Sequence, residues 1–263
     1  MKTNFHNYAE EYLQHRNDIP NMFYEELERR GIELSGAIVA DIGAGPGFVS
    51  KVLSDYGSIV DAVEPSDAFI ELGKEYVGNN DRINFTQGTA EETNLKSDTY
   101  DLVFVMRAWH WFDSDKATAE ISRILKPGGL LIVGDIGFTV SNKMMKDSMK
   151  IVKKHSKNEE LHPAGSKEDS LQMINGFPVE WFSDWKHGKF SIEEFFKKEY
   201  KVKFTDQEWI ARLGTSSWLV RFKKKQKDKV LEEIAGLLDH LDESKKHKAP
   251  HVLNVAILKN MRK

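Results

Sequence analysis

The chain has no cysteine, which removes disulfides, thiolate nucleophiles and zinc–thiolate clusters from consideration. That absence agrees with a reducing compartment, and the cytoplasm is the expected location. Charge of one sign is also missing: 38 Lys plus Arg stand against 41 Asp plus Glu, a formal net charge of −3. No global field draws the chain to a polyanion, so nucleic acid is not an expected partner. No apolar run reaches the ~18 residues that a membrane span needs. The opening MKTNFHNYAEEYLQHR is polar and lacks the apolar stretch of a signal peptide. Neither membrane insertion nor secretion is expected. There is no internal repeat or low-complexity tract, and the runs Lys223 to Lys227 and Lys245 to Lys248 read as solvated helix ends. The sequence says nothing of oligomeric state.

What is present suits one substantial α/β core with additions: 263 residues, 40% hydrophobic and 30% charged. Ile38 to Ile42 is an apolar run that ends in a glycine cluster, and Ile59 to Val63 is another that ends at Glu64-Pro65. Both read as buried parallel strands. Helical spacing joins Phe48, Val49, Val52 and Leu53 between them, and Ala68, Ile70, Leu72 and Tyr76 after them. Ile83-Asn84-Phe85 reads as a third strand, Tyr100 to Met106 as a fourth and Leu130 to Val133 as a fifth, with a helix over Asp115 to Leu125. Such a β-α alternation predicts right-handed crossovers and a doubly wound, Rossmann-like α/β sheet.

After Asp135 the rhythm changes. Ser141 to Lys189 shows helical spacing broken by Pro, Gly and His, with no clear strand, and is read as a helical insertion or cap. Glu194 to Thr205 and His251 to Lys259 alternate like strands on either side of a helix near Lys227 to Leu241. They complete an expected sheet of seven strands, mostly parallel, with an antiparallel C-terminal strand. The expected organisation is a helical segment over 1–35, a nucleoside-binding core over 36–136, a cap over 137–190, and sheet-completing strands and helices over 191–263.

The strongest chemical signal is Asp41-Ile42-Gly43-Ala44-Gly45-Pro46-Gly47, where a strand enters three alternating glycines and then a helix. Glycines allow a sharp turn and close approach of a ligand, and helix-start amides favour a polar or anionic group. Glu64 closes the next strand 23 positions after Asp41, where an adenosine ribose presents its hydroxyls. The glycine spacing differs from the dinucleotide fingerprint, and a carboxylate at Asp41 opposes a pyrophosphate while suiting a ligand with an ammonium group. A nicotinamide-dependent oxidoreductase shares the β-α-β order but conflicts with both features.

Asp41 to Gly47 resembles the first motif of the class I S-adenosylmethionine-dependent methyltransferases, acidic-x-Gly-x-Gly-x-Gly. The resemblance covers roughly 36–136 well and the remainder loosely. It implies S-adenosylmethionine as cofactor, held by Asp41, Gly43, Ala44 and Gly45, with Glu64 on the ribose followed by Pro65 and Ser66. It further implies Ala90 and Glu91 of Gly88-Thr89-Ala90-Glu91 at the adenine edge, and a turn at Leu125-Lys126-Pro127-Gly128-Gly129 before strand five.

The fourth strand ends in Met106-Arg107-Ala108-Trp109-His110-Trp111-Phe112-Asp113. The Asn-Pro-Pro-Tyr pattern of enzymes that methylate base or glutamine amino groups is absent, and cytosine-C5 enzymes need a cysteine. His-Trp-Phe-Asp instead resembles the small-molecule branch that includes trans-aconitate methyltransferase and ubiquinone and menaquinone biosynthetic relatives. Tyr8, Tyr12, Arg16 and Pro20 are similar to that branch's N-terminal segment, which folds over the cofactor, so Tyr12 and Arg16 join Arg107 and Ala108 as expected cofactor contacts.

His110 is either a general base or a residue that holds the loop. Arg107 is either an anion clamp or an ordinary surface residue. Trp109, Trp111, Trp181 and Trp185, with Ser217 and Trp218, are acceptor-side candidates, although aromatic clusters more often form core. The expected reaction is direct methyl transfer to a small molecule, with no metal and no covalent enzyme intermediate. The alternative is a protein that binds S-adenosylmethionine without small-molecule turnover, or that methylates a macromolecule.

Overall fold

Ile38–Ile42 (β1) is buried along nearly its whole length, as a strand covered on both faces must be. It lies beside Ile59–Glu64 (β2) and Tyr100–Met106 (β4), parallel to both. Ile83–Gln87 (β3) extends the sheet beyond β2, and Leu125–Phe138 (β5) extends it beyond β4, again in parallel. The remaining strands are Phe190–Thr205 (β8) and Lys246–Asn260 (β9). The seven stand in the order β3-β2-β1-β4-β5-β9-β8. Mostly parallel, with an antiparallel C-terminal strand, this is the expected doubly wound sheet. The structure is a computed structural model that describes residues 9–156, 165–168, 170–216, 219, 222–240 and 246–263.

The helices follow from side-chain spacing and caps. Ala9–His15 (α1) and Met22–Arg29 (α2) precede the sheet, and α2 buries Phe23, Tyr24 and Leu27. Phe48–Asp55 (α3) and Asp67–Val77 (α4) join the first three strands. Ser114–Ile124 (α5) starts at Asp113, whose side chain accepts from Lys116 N, and it buries Ala117, Ile121 and Ile124. Lys143–His155 (α6), Val179–His187 (α7), Asp206–Gly214 (α8) and Lys224–Asp239 (α9) follow among the described residues. A capping box of Thr205 and Glu208 opens α8. Among the described residues no helix is long and apolar enough to cross a membrane.

Two local departures from the sequence reading have physical reasons. The fifth strand begins at Leu125, because Tyr100 pairs with Leu125 while Leu102 pairs with Leu130. Lys126 to Gly129 therefore form a bulge within the ladder, with Gly128 at φ 79°, instead of a turn ahead of it. Within 141–189 there is also a hairpin, Met173–Ile174 (β6) with Phe177–Pro178 (β7). Asn175 and Gly176, at φ 50° and 84°, supply the two left-handed residues of its turn. Strands of two residues are too short to show an alternation.

The chain divides into two compact units, which interleave the stretches 137–190 and 191–263. One comprises Ile19–Ile136, Asp169–Lys197 and Leu253–Lys263. Its core gathers Ala40, Val63, Val103, Ile121 and Val133 with Trp109, Phe177, Trp181 and Trp185. The other comprises Met1–Asp18, Gly137–Glu168 and Lys198–Val252. There α6, α8 and α9 pack through Met145, Val152, Trp209, Leu213, Val230 and Ile234. Its buried charge is paired, since Asp18 accepts from Arg212 Nε and Nη2 at 2.9 and 2.7 Å. The Arg212 guanidinium lies 4.7 Å from the centre of the Phe138 ring.

Candidate functional site

All three glycines of the loop after β1 have positive φ: Gly43 at 70°, Gly45 at 57° and Gly47 at 82°. Two of them also need the missing side chain. A Cβ on Gly43 would lie 2.6 Å from the Ala108 Cβ, and one on Gly47 would lie 2.9 Å from Phe85 Cζ. Gly45 differs, because a Cβ there would meet nothing within 4 Å. The loop is thus packed from below at Gly43 and Gly47 and open at Gly45.

The loop's amides are engaged by the protein. Gly43 N and Ala44 N donate to Val63 O at 2.9 and 3.1 Å, and Gly47 N donates to Ala44 O at 3.0 Å. Gly45 N donates to Glu64 Oε2 at 2.9 Å. Asp41 Oδ2 accepts from Ser50 N at 3.1 Å and Ser50 Oγ at 2.6 Å. Asp41 therefore caps the first turn of α3 from the neighbouring strand. A helix start expected to offer its amides to a ligand already holds a carboxylate, which disfavours a pyrophosphate there. Asp41 is buried and turned to Ser50, so it supports the loop from beneath. Ser50 was not singled out in the sequence, and its only signal there is a hydroxyl in the first turn of the helix after the glycines.

Glu64 ends β2 with its carboxylate folded over the loop, accepting from Gly45 N through Oε2 and from Ser66 N through Oε1 at 3.1 Å. Burial pushes its pKa up to about 7, against the two amides that lower it, and the nearby Asp41 raises it further. Burial likewise pushes Asp41 up to about 6, opposed by the Ser50 bonds. Pro65 is exposed beside Glu64.

The third piece is the turn after β3. Gly88 N donates to Glu64 O at 3.3 Å, Thr89 and Glu92 close a turn, and Ala90 is buried. Glu91 Oε1 accepts from Asp113 N at 2.8 Å, so this residue reaches away from its own turn to the loop after β4.

That loop begins at Arg107, whose φ of 56° lies in the left-handed region that residues with a side chain seldom adopt. Arg107 N donates to Gly134 O at 2.8 Å. Ala108 is buried against Gly43, and Trp109, His110 and Trp111 form a single 3-10 turn. Trp109 is 1% exposed while Trp111 is 37% exposed. The His110 and Trp111 rings lie 4.6 Å apart.

The remaining candidates lie elsewhere. Trp181 and Trp185 are buried at 2% and 0% exposure, with Trp185 edge-on to Trp109 at 5.8 Å. They belong to the core, not to an open pocket wall. Tyr12 and Arg16 belong to the other unit, where Arg16 donates to Thr215 Oγ1 and O at 3.2 and 2.6 Å and lies over the Tyr12 ring. Tyr8, Ser217 and Trp218 lie outside the described residues.

Strand order, the glycine loop after β1 and the acid that closes β2 are those of a class I S-adenosylmethionine-dependent methyltransferase fold. Comparison with known proteins agrees: residues 40–133 match the family model described as a methyltransferase domain. An uncharacterised methyltransferase of Mycobacterium tuberculosis is 37% identical over 93 residues, which is 35% of this chain and 37% of the relative. Demethylmenaquinone methyltransferase of Clavibacter sepedonicus is 29% identical over 103 residues, 38% of this chain and 41% of the relative. The matched stretch thus spans well under half the length of these curated relatives. Among solved structures, a putative type II methyltransferase from Anaeromyxobacter dehalogenans aligns over 91% of this chain and 95% of its own, with TM-score 0.64 and 20% identity. Phosphoethanolamine N-methyltransferase 2 of Haemonchus contortus aligns over 99% of this chain and 58% of its own, with TM-score 0.57 and 17% identity. These likenesses show the fold.

Proposed function

We propose that the chain binds S-adenosylmethionine over Gly43 to Gly45 and transfers its methyl group to a small-molecule acceptor at the loop after β4. The observation that carries this reading is the charge arrangement: Asp41 already caps α3 and Glu64 already takes the Gly45 amide, so two carboxylates engage the groups that would otherwise hold a pyrophosphate. The cradle fits a phosphate-free nucleoside, because open space at Gly45 lets a ligand reach the backbone and Glu64 can accept from a ribose diol. S-adenosylmethionine supplies a methyl group already activated by a sulfonium.

The protein's own part is alignment and exclusion of water, which can lower the barrier by about 7–11 kcal/mol for a well-oriented pair. Glu64, Pro65 and Ser66 hold the ribose side in this reading, Ala90 borders the adenine, and Arg107 and Ala108 border the methyl donor. Trp111 offers an exposed aromatic face to a cation. His110 is placed on the same turn, where a base can take a proton from an acceptor hydroxyl. The loop's His-Trp-Phe-Asp sequence and the demethylmenaquinone relative support a small acceptor.

Calorimetry with S-adenosylhomocysteine and with NADH tests the donor. Binding of the first alone supports the proposal, and binding of NADH alone sinks it. Labelled S-adenosylmethionine with a fractionated metabolite extract then tests the acceptor, and label entering only protein or nucleic acid would refute the small-molecule reading.

A further inference from the structure

Glu91 sits in the turn expected to border the adenine, yet its carboxylate is spent on another element. Oε1 accepts from Asp113 N at 2.8 Å. Asp113 is the N-cap of α5: its Oδ1 accepts from Lys116 N at 3.3 Å, and its Oδ2 lies 2.8 Å from Lys116 Nζ. The Glu91 charge also acts on Lys116. A second tie lies just behind, where Glu120 of α5 accepts from Thr93 N at 3.0 Å and from Thr93 Oγ1 at 2.5 Å. Arg123 completes it, donating to Leu95 O at 2.7 Å and to Glu120. The stretch 91–95 is therefore bonded to α5 from its N-cap to its last turn.

The loop 107–113 is held at three places. Arg107 N is fixed to Gly134 O, Ala108 is packed against Gly43, and Asp113 N is fixed to Glu91. The last two attach it to both walls of the donor crevice. Between these anchors stand His110 and the exposed Trp111. The left-handed Arg107 at the entrance needs such fixing, since a strained conformation persists only where its surroundings enforce it.

We propose that Glu91 is a positioning residue that transmits donor binding to the acceptor loop through the Asp113 amide. The proposal rests on the donor-site reading above and goes beyond it: a ligand that settles the turn 88–92 steadies 107–113. Glu91 touches the protein, not the ligand.

The test is hydrogen exchange of the peptide spanning 107–113, with and without saturating S-adenosylhomocysteine. Without ligand, Glu91→Ala should exchange faster by about tenfold, the scale expected for one lost charge-assisted hydrogen bond. S-adenosylhomocysteine should slow exchange in the wild type and fail to do so in Glu91→Ala. Glu91→Gln, whose amide oxygen can still accept from Asp113 N, should restore both behaviours. Glu91→Leu repeats the deletion with more side-chain volume if the alanine variant folds poorly. Wild-type exchange in the unliganded Ala and Leu variants, or full ligand protection in them, overturns the proposal. A wild-type chain that binds no S-adenosylhomocysteine overturns the donor-site reading instead, and the coupling with it.

Discussion

The turn after β1 and the loop after β4 meet at Gly43 and Ala108, yet they are built on opposite principles. The first turn lacks side chains: three glycines take positive φ, and neighbours occupy the space where two of their Cβ atoms would stand. The second is full of them, with Arg107, Trp109, His110, Trp111 and Phe112 in succession. In the glycine turn the backbone is the functional element, so residue type is dictated by geometry. In the aromatic loop the side chains divide between core and crevice, and only packing decides which goes where. Trp109 is buried, while Trp111 two residues later is 37% exposed.

The largest expected effect tests the aromatic side. Trp185 is fully buried against Trp109, Phe177 and Phe182, with ring centres 5.4–5.8 Å apart. Trp185→Ala should destabilise the fold by about 3–5 kcal/mol, as deletion of a buried aromatic does. Denaturant unfolding measures it. A loss under about 1 kcal/mol would mean that the indole lines open space and that the cluster is not core.

The glycine side gives the next effect. At Gly43 an added methyl has both the wrong φ and a neighbour at 2.6 Å, whereas at Gly45 it has only the wrong φ. Gly43→Ala should cost about 2–3 kcal/mol, and Gly45→Ala about 1 kcal/mol. Donor affinity should rank the other way relative to stability, because Gly45 faces open space. Equal stability losses would remove the distinction between a packed and an open glycine.

Much of the central sheet was legible because buried parallel strands leave continuous apolar runs. Ile38 to Ile42 and Tyr100 to Met106 match β1 and β4 residue for residue. The glycine turn was legible because few residue types other than glycine take a left-handed backbone, and Glu64 because it is the acid that closes the apolar run of β2. Three things were not. The task of Asp41 depends on Ser50, and a strand-to-helix hydrogen bond leaves no periodic trace. The reach of Glu91 to Asp113 is set by how the turn after β3 lies against α5, which is a tertiary fact. The interleaving of the two units is set by which distant stretches pack together, which no local pattern records.

Charge sharpens the comparison further, because the glycine side carries both perturbed carboxylates. Burial holds Glu64 near 7 and Asp41 near 6, each above its ordinary value. A carboxyl raised in the folded state contributes stability that is full below its unfolded pKa and lost as pH rises through the folded one. The unliganded protein should therefore lose melting temperature between pH 5 and pH 8 through these two groups. Donor affinity should run in the opposite direction if ionised Glu64 accepts the ribose hydroxyls, falling by about an order of magnitude from pH 8 to pH 5.5. Calorimetric titration at several pH values checks this, with Glu64→Gln as the reference that should bind weakly and without pH dependence across the range. A wild-type affinity that stays flat over the same interval would leave Glu64 without that role.

The smallest effect on stability falls on the aromatic side's polar residue. His110 is only partly buried and its ring lies tilted against that of the exposed Trp111, so His110→Ala should change unfolding free energy by no more than about 0.5 kcal/mol. Its effect on turnover separates the two tasks considered for it. A base that takes a proton from the acceptor contributes on the order of a hundredfold or more, and its loss lowers kcat while leaving donor affinity intact. A residue that merely holds the loop shows a rise in acceptor KM, with His110→Gln recovering most of it through a hydrogen bond. The glycine turn has no counterpart to this experiment, since its glycines carry no side-chain chemistry to remove. On the proposed reading, that contrast makes His110 and Trp111, the side chains between the loop's anchors, the positions where substitution tests the acceptor without touching the glycine turn.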